Sequence, residues 1–407
     1  MKILHTADWH IGKKLHKTEL AEDFDLFINW LCKTIEAEEI DVLLVSGDIF
    51  DLANPSSEAR RQYYRALVKM NRFDCKIILT GGNHDSPAML EAPKDILKAL
   101  DIDIIGGMPQ NPEELIIPIK NSEVNTELVI AAVPFLRDAD LRKSAEPETY
   151  EDRVEAHKKG IQNTFFEAAQ ICERKYPAVP ALAMGHLFTA GIETSESERD
   201  IQIGNLAAFE ASRFGSYFKY IALGHIHKPQ RVAAAVPAFY SGSPLPLSFS
   251  ERRDEKRILV IDTEESWEPR SIAVPSFRSL LKISGSLEEL SLKLEQLEEK
   301  KDLESFIEVE LQEEQYDALK IYALDELVSG FQKEGYRIVK HRAAFKNQLK
   351  GAGQAFSAQR QLQDLQPKDV FLELIAKHEY DDGTKQDILS AFDEILEDLH
   401  RDENAEL

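Results

Sequence analysis

Cysteine is scarce in this chain. Three occur in 407 residues, Cys32, Cys75 and Cys172, far apart and without CxxC spacing. That pattern excludes a disulfide framework and a thiolate zinc site, and reads as buried apolar side chains in a reducing compartment. Long apolar runs are also missing. Nothing approaches the roughly 18 apolar residues of a membrane span, and Met1 is followed by "KILHTAD" rather than by an apolar stretch with a cleavage site. Neither export nor membrane insertion is expected, and a cytoplasmic protein is the reading. Basic residues are outnumbered, 49 Lys and Arg against 72 Asp and Glu, for a net charge of -23. A surface of that sign argues against free, non-specific attraction to nucleic acid. The imbalance is uneven, since residues 358–407 hold 14 acidic and 5 basic residues, so net charge says little about any one face. Solenoid repeats and long low-complexity tracts are absent too.

What remains is an ordinary globular composition, 43% hydrophobic, long enough for about two or three domains. Up to residue 275, apolar runs of strand length recur at 3–7, 42–45, 76–79, 128–133, 181–184 and 220–223, mostly separated by helix-capable stretches. Such runs suit strands buried on both faces, and the expected class is a layered α/β fold with helices covering the sheet. "AFYSG" and "RILVIDT" add further strands. From Phe277 the order becomes strand, helix, strand, helix, strand, which marks a separate α+β capping domain over 276–348. A Gln-rich linker, 349–366, leads to a segment, 367–407, with two amphipathic helices.

Polar residues gather where the apolar runs end. "HTADWH" offers Asp8 and His10; "VSGDIFD" offers Asp48 and Asp51; "GGNHD" offers Asn83 and His84; "GH" supplies His186, and "GHIH" supplies His225 and His227. In open parallel sheets the carboxyl ends of the strands share one edge, so residues distant in sequence converge there. Carboxylate, imidazole and amide oxygen without thiolate suit a pair of divalent ions such as Mn, Fe or Zn. Asp48, after a strand and a turn-permitting glycine, is the natural bridge between them. Taken singly, each residue has a plainer explanation: a turn or cap for Asp8 or Asn83, a satisfied core histidine for His186. Five such endings in succession are not explained that way, and phosphoester hydrolysis is the chemistry they suggest.

These endings resemble the five motifs of the calcineurin-like metallophosphoesterase superfamily. "MKILHTADWHIGK", "VSGDIFDLANPSSEAR", "LTGGNHDSP", "LGHIHKPQ" and "YSGSPLPLSFSE" resemble its SbcD-type nuclease branch, over roughly residues 1–250. The resemblance implies a β-sandwich flanked by helices over 1–275, then the cap and the C-terminal helix pair. It implies that Asp8, His10, Asp48 and His227 hold one ion and that Asp48, Asn83, His186 and His225 hold the other, most often Mn2+. His84 would meet the phosphate and assist the leaving oxygen, with Asp51 orienting it. It further implies a DNA exonuclease and single-strand or hairpin endonuclease, a homodimer working within a heterotetramer with an SbcC-type coiled-coil ATPase in DNA end processing. Segments 57–71 and 86–100 are candidates for the dimer contact, and 367–407 for docking on the ATPase. Two alternatives stay open: a phosphatase or nucleotide phosphodiesterase of the same superfamily, and a non-enzymatic scaffold. Two basic stretches, Arg60 to Arg72 and Arg252 to Arg257, could touch phosphates, and neither is assigned to DNA.

Overall fold

The computed structural model describes residues 1–345, except 122, 142–149, 196, 199–207, 299–301 and 316, together with 391 and 392. The expected linker and almost all of the helical segment 367–407 therefore lie outside the described residues. The chain opens with β1 (Lys2–Thr6), a small hairpin of β2 (Lys14–Leu15) and β3 (Thr18–Glu19), α1 (Ala21–Glu38), β4 (Val42–Ser46), α2 (Ser57–Met70) and β5 (Lys76–Thr80). Then come α3 (Pro87–Glu91), α4 (Lys94–Ala99), β6 (Ile102–Ile105), β7 (Ile116–Lys120), β8 (Thr126–Ala132), α5 (Asp138–Leu141) and α6 (Tyr150–Lys175). β9 (Ala181–His186), β10 (Ile221–Gly224), β11 (Gln230–Arg231), β12 (Ala238–Tyr240), β13 (Arg257–Asp262) and β14 (Ser266–Ala273) follow. The last described elements are β15 (Leu280–Gly285), α7 (Leu287–Glu295), β16 (Ser305–Glu313), α8 (Ala318–Gly330) and β17 (Tyr336–Phe345).

The apolar runs form two six-stranded sheets, the sandwich that the resemblance implies, ordered β14-β13-β1-β4-β5-β6 and β11-β12-β10-β9-β8-β7. In the first, β1, β4, β5 and β6 are parallel, and β13 pairs antiparallel with β1. Successive side chains point to opposite faces of a strand, and here both faces are buried. Leu4, Leu43, Val45, Ile77 and Leu79 pack with Phe24, Phe27 and Leu31 of α1 and Tyr63 and Leu67 of α2. Ile3, Val42, Leu44 and Ile78 face the other way and share a core with Val129, Leu182, Ile221 and Tyr240 of the second sheet, which Ile161 and Phe165 of α6 cover. The result is a sandwich with helices outside both layers. The helix starts are chemically marked: the Ser56 hydroxyl accepts from the Ala59 amide at 3.1 Å to cap α2, and Ser286 with Glu289 forms a capping box on α7.

Between the sheets lies His5, with Nδ1 3.0 Å from the Tyr220 hydroxyl. Burial pushes its pKa down from 6.5 to about 3. The unfolded chain therefore takes up this proton first, so the stability tied to a neutral His5 is complete above pH 6.5 and is lost as pH falls toward about 3. Urea unfolding is expected to show a loss approaching 1.4 kcal/mol per pH unit from this residue alone. The slope should be shallower in His5→Gln; equal slopes in the two proteins would assign the acid sensitivity elsewhere.

The cap is a parallel three-stranded sheet, β15-β16-β17. Ile283, Ile307, Val309 and Leu311 pack with Leu290 and Leu294 of α7 and Leu324 of α8. The alternate residues Glu308 and Glu310 turn to the opposite face and pair with Lys282, Lys340 and Arg342. A buried guanidinium joins this unit to the sandwich: Arg278 Nε lies 2.9 Å from Asp23 Oδ1 and Nη2 lies 2.9 Å from Asp23 Oδ2 on α1. The guanidinium carbon also stands 3.8 Å from the centre of the Phe306 ring. Removing one partner of such a pair leaves an uncompensated buried charge.

Candidate metal centre

β1, β4 and β5 of one sheet and β9 and β10 of the other run out at a common rim. The backbone turns sharply there: Asp8, His10, Asp48 and His225 all take positive φ, at 55°, 46°, 50° and 104°. The first two turns lock together, the Asp8 amide donating to the Gly47 carbonyl and the His10 amide to the Asp48 carbonyl, both at 3.0 Å. Two glycines permit the close approach. A Cβ on Gly47, itself at φ +84°, would stand 2.1 Å from His186 Nδ1, and one on Gly224 would stand 1.8 Å from the Ser46 carbonyl oxygen.

All seven residues expected to hold ions meet at this rim. Asp48 Oδ2 lies 3.4 Å from His186 Nε2 and 3.6 Å from His10 Nε2. Asn83 Oδ1 is 2.9 Å from His186 Nε2 and 3.3 Å from His225 Nδ1. His10 Nε2 and His227 Nε2 are 3.1 Å apart, and the Asp8 carboxylate accepts from the His225 amide at 2.9 Å. Donor atoms within 4.8 Å of one another form three groups: Asp8, His10 and His227; Asp48, His186 and His225; and His10, Asp48 and His84. Six of the seven residues are buried; Asn83 is half-buried.

The donor chemistry fits a cation. His186 Nδ1 sits 2.9 Å from the Ser46 carbonyl oxygen, which can only accept, so Nδ1 carries the proton and the Nε2 lone pair faces Asn83 and Asp48. His10 Nδ1 lies 3.3 Å from the Asp51 carboxylate, which leaves its Nε2 turned toward His227 Nε2. Lone pairs and oxygens thus converge on the same small volume, an arrangement that a divalent cation or bound protons must neutralise. Burial pushes Asp8 up to about 7. Burial would lower His186, but the Asp48 carboxylate beside it outweighs this and raises it to about 9. Burial opposes the ionised form of Asp48, and the His186 charge outweighs that and holds it well below the usual carboxylate range.

Residues 1–229 match the family model described as calcineurin-like phosphoesterase. The chain belongs to that family. Its members hydrolyse phosphoesters with divalent metal, and this phosphoesterase is a metal-dependent phosphodiesterase. Residues 276–379 match a second model, described as type 5 capsule protein repressor C-terminal domain. Among curated proteins, the chain is 30% identical over 411 residues to the SbcD component of the nuclease SbcCD of Escherichia coli K12, covering 98% of each chain. It is 36% identical over 286 residues to the SbcCD nuclease component of the same name from Rhodobacter capsulatus, covering 68% of this chain and 69% of that one. The Bacillus subtilis protein of that name is 30% identical over 339 residues, with 81% and 84% covered.

The remaining groups of this phosphoesterase site support those at the rim. His84 Nδ1 lies 2.7 Å from the carbonyl oxygen of Asp51, while the Asp51 carboxylate lies against His10 and 3.0 Å from Lys13 Nζ. Five supporting residues carry no site role in the sequence pattern. Asp85 accepts from the amides of Gly82, Ile49 and Phe50 at 2.8, 3.0 and 2.9 Å, tying the "GGNHD" turn to the "GDIFD" turn. Its position just beyond Asn83 and His84 is the one signal that could have pointed to it. Ser197, Glu198, Glu251 and Lys256 close around His227, and Lys256, read from sequence as one of a surface basic group, is buried beside Glu251. Asp85→Ala is expected to strand three buried amides and lower stability by about 3 kcal/mol or more, read as a fall in the urea midpoint at unchanged slope. A midpoint equal to wild type would mean that solvent replaces the carboxylate without cost.

Proposed function

We propose that this chain is the nuclease component of a DNA end-processing complex: a Mn2+-dependent double-strand exonuclease and single-strand or hairpin endonuclease. It would act as a homodimer with an SbcC-type coiled-coil ATPase in a heterotetramer serving repair and recombination. The observation that carries the chemical part is that two donor groups meet around one carboxylate, Asp48. In this reading Asp8, His10, Asp48 and His227 hold one ion, and Asp48, Asn83, His186 and His225 hold the other. Divalent ions held by these residues would lower the pKa of a water and offset charge on the phosphodiester.

The protein's own contribution is placement and proton handling. The Asp51 carbonyl fixes the His84 Nδ1 proton, so Nε2 is the nitrogen that gains and gives up a second proton, and as the imidazolium His84 would donate from Nε2 to the leaving oxygen. Asp51 further aims His10 through its carboxylate. The buried rim keeps bulk water from these groups, which strengthens each charge interaction. The names of the relatives support a nuclease that works as one component of an SbcCD assembly. Exposed Tyr64 and Val68 on α2 and Ile96 on α4 support a second copy of the chain as neighbour.

Cleavage of hairpin-ended duplex DNA with Mn2+, without and with an SbcC-type partner and ATP, tests the reading. Metal-dependent cutting stimulated by the partner is the expected result. Hydrolysis of a small phosphodiester with no cutting of DNA under either condition would keep the site and overturn the substrate.

A further inference from the structure

Behind His227, on the side away from the rim, lies a buried polar cluster that the hydrolytic chemistry does not use. Its centre is Glu251, 1% exposed. The Lys256 ammonium lies 2.5 Å from Glu251 Oε2 and also reaches the Ser243 hydroxyl at 2.9 Å and the His227 carbonyl at 3.1 Å. Glu251 Oε2 additionally accepts from the Leu247 amide at 3.2 Å. Glu251 Oε1 accepts from the Ser197 hydroxyl, and Ser197 Oγ lies 2.6 Å from His227 Nδ1. The neighbouring Glu198 accepts from the His227 amide at 2.8 Å. Glu251 Oε1 stands 3.6 Å from His227 Nδ1 itself, so the hydroxyl is the shorter link.

The Ser195 hydroxyl also reaches Ser197 Oγ at 2.8 Å and Glu251 Oε1 at 3.3 Å, and the shorter Ser197–Glu251 contact sets the direction of the Ser197 proton. Beside the Lys256 ammonium Glu251 is ionised and can only accept, so the hydroxyl proton of Ser197 is directed to it. Ser197 Oγ must then accept from His227 Nδ1, which places the imidazole proton on Nδ1 and the lone pair on Nε2, the atom that faces His10 across 3.1 Å. We propose that Glu251, acting through the Ser197 hydroxyl, is a positioning residue that fixes the tautomer and orientation of His227 toward the rim. Lys256 is its buried counter-ion. The proposal rests on the two-ion reading and deepens it: one ion position, that of Asp8, His10 and His227, depends on Ser197 and Glu198, whereas the position of Asp48, His186 and His225 has its own anchor at the Ser46 carbonyl.

The test is Mn2+ binding to the full chain by calorimetry, with electron paramagnetic resonance on the same samples. Ser197→Ala removes the relay and leaves the Glu251–Lys256 pair in place. Its expected effect is a loss of affinity at one of the two ion positions by roughly 10- to 100-fold, the usual cost of losing an outer partner of a ligand histidine. The other position should keep its affinity, and the signal of isolated Mn2+ should replace that of a coupled pair at ion concentrations that fill both positions in wild type. Ser197→Thr, which keeps the hydroxyl, should restore the wild-type behaviour. Glu251→Gln should resemble Ser197→Ala in Mn2+ binding even at temperatures where circular dichroism shows it fully folded. Wild-type binding of two ions with unchanged affinities in Ser197→Ala would overturn the positioning role alone. Wild type that binds no Mn2+ would overturn the two-ion reading, and the positioning role with it. Equal weakening of both positions, unrelieved by threonine, would reduce the cluster to general support of the fold.

Discussion

Asp48→Asn is expected to reduce Mn2+-dependent phosphodiester cleavage by at least about a thousandfold. The substitution preserves shape: one oxygen can still accept from the His84 amide, as Asp48 Oδ1 does at 2.9 Å. What disappears is the negative charge that faces His186 at 3.4 Å and His10 at 3.6 Å. A carboxylate shared by two divalent ions offsets repulsion between them, and its loss acts on both positions together. Several kcal/mol of charge stabilisation are involved, and each 1.36 kcal/mol is about tenfold in rate. Single-turnover cleavage at saturating Mn2+ and calorimetric titration of the same protein check the effect. Activity within tenfold of wild type would show that Asp48 is not the bridge.

His84→Gln separates chemistry from ion binding. The ring is held edge-on to His10, with centroids 4.7 Å apart, and Nε2 stands 4.0 Å from Asp48 Oδ2. A general acid at that place contributes about 10²- to 10⁴-fold, so kcat should fall by that factor. Mn2+ binding should persist, because both proposed ligand sets are complete without His84. His84 does form a donor group with His10 and Asp48, which gives the titration its force. Loss of one ion in His84→Gln would make this histidine a ligand and leave the leaving oxygen without its proposed proton source.

The site was legible in sequence because its residues follow apolar runs within a few positions. Val45 precedes Asp48 by three residues, and the strand endings "ALAMG" and "IALG" lead straight into His186 and His225. The apolar runs alone did not show the division into two sheets, since a strand buried on both faces reads as a continuous apolar run whichever neighbour it pairs with; the sandwich came from the motif resemblance. β14 escaped the reading for the opposite reason: "SWEPRSIA" is half-exposed along its length and carries a proline at an edge. Glu251 and Lys256 sit in "SERRDEK", which looks like a solvated turn. Only tertiary packing buries those two charges and leaves Arg252 and Arg253 outside, and no local pattern encodes that choice. Ser197 and Glu198 reach His227 from thirty and twenty-nine residues away through a loop, so no strand register could have pointed to them.

The rim has one further consequence. The first sheet brings Asp8, His10, Asp48 and Asn83, and the second brings His186, His225 and His227, so an ion held as proposed would be gripped from both sides and would work as a rivet through the sandwich. The layers meet closely beneath it, the Ser46 hydroxyl donating to the Ala222 carbonyl at 3.2 Å. Any sliding of one layer over the other must release the rivet, and mass action then couples mechanical stiffness to the supply of free divalent ion. Amide exchange in β9 and β10 should quicken on chelation while the strands of the cap keep their rates. Protein starved of ions would be loosened at its centre, and a protease would detect the deficiency as readily as an assay of cleavage.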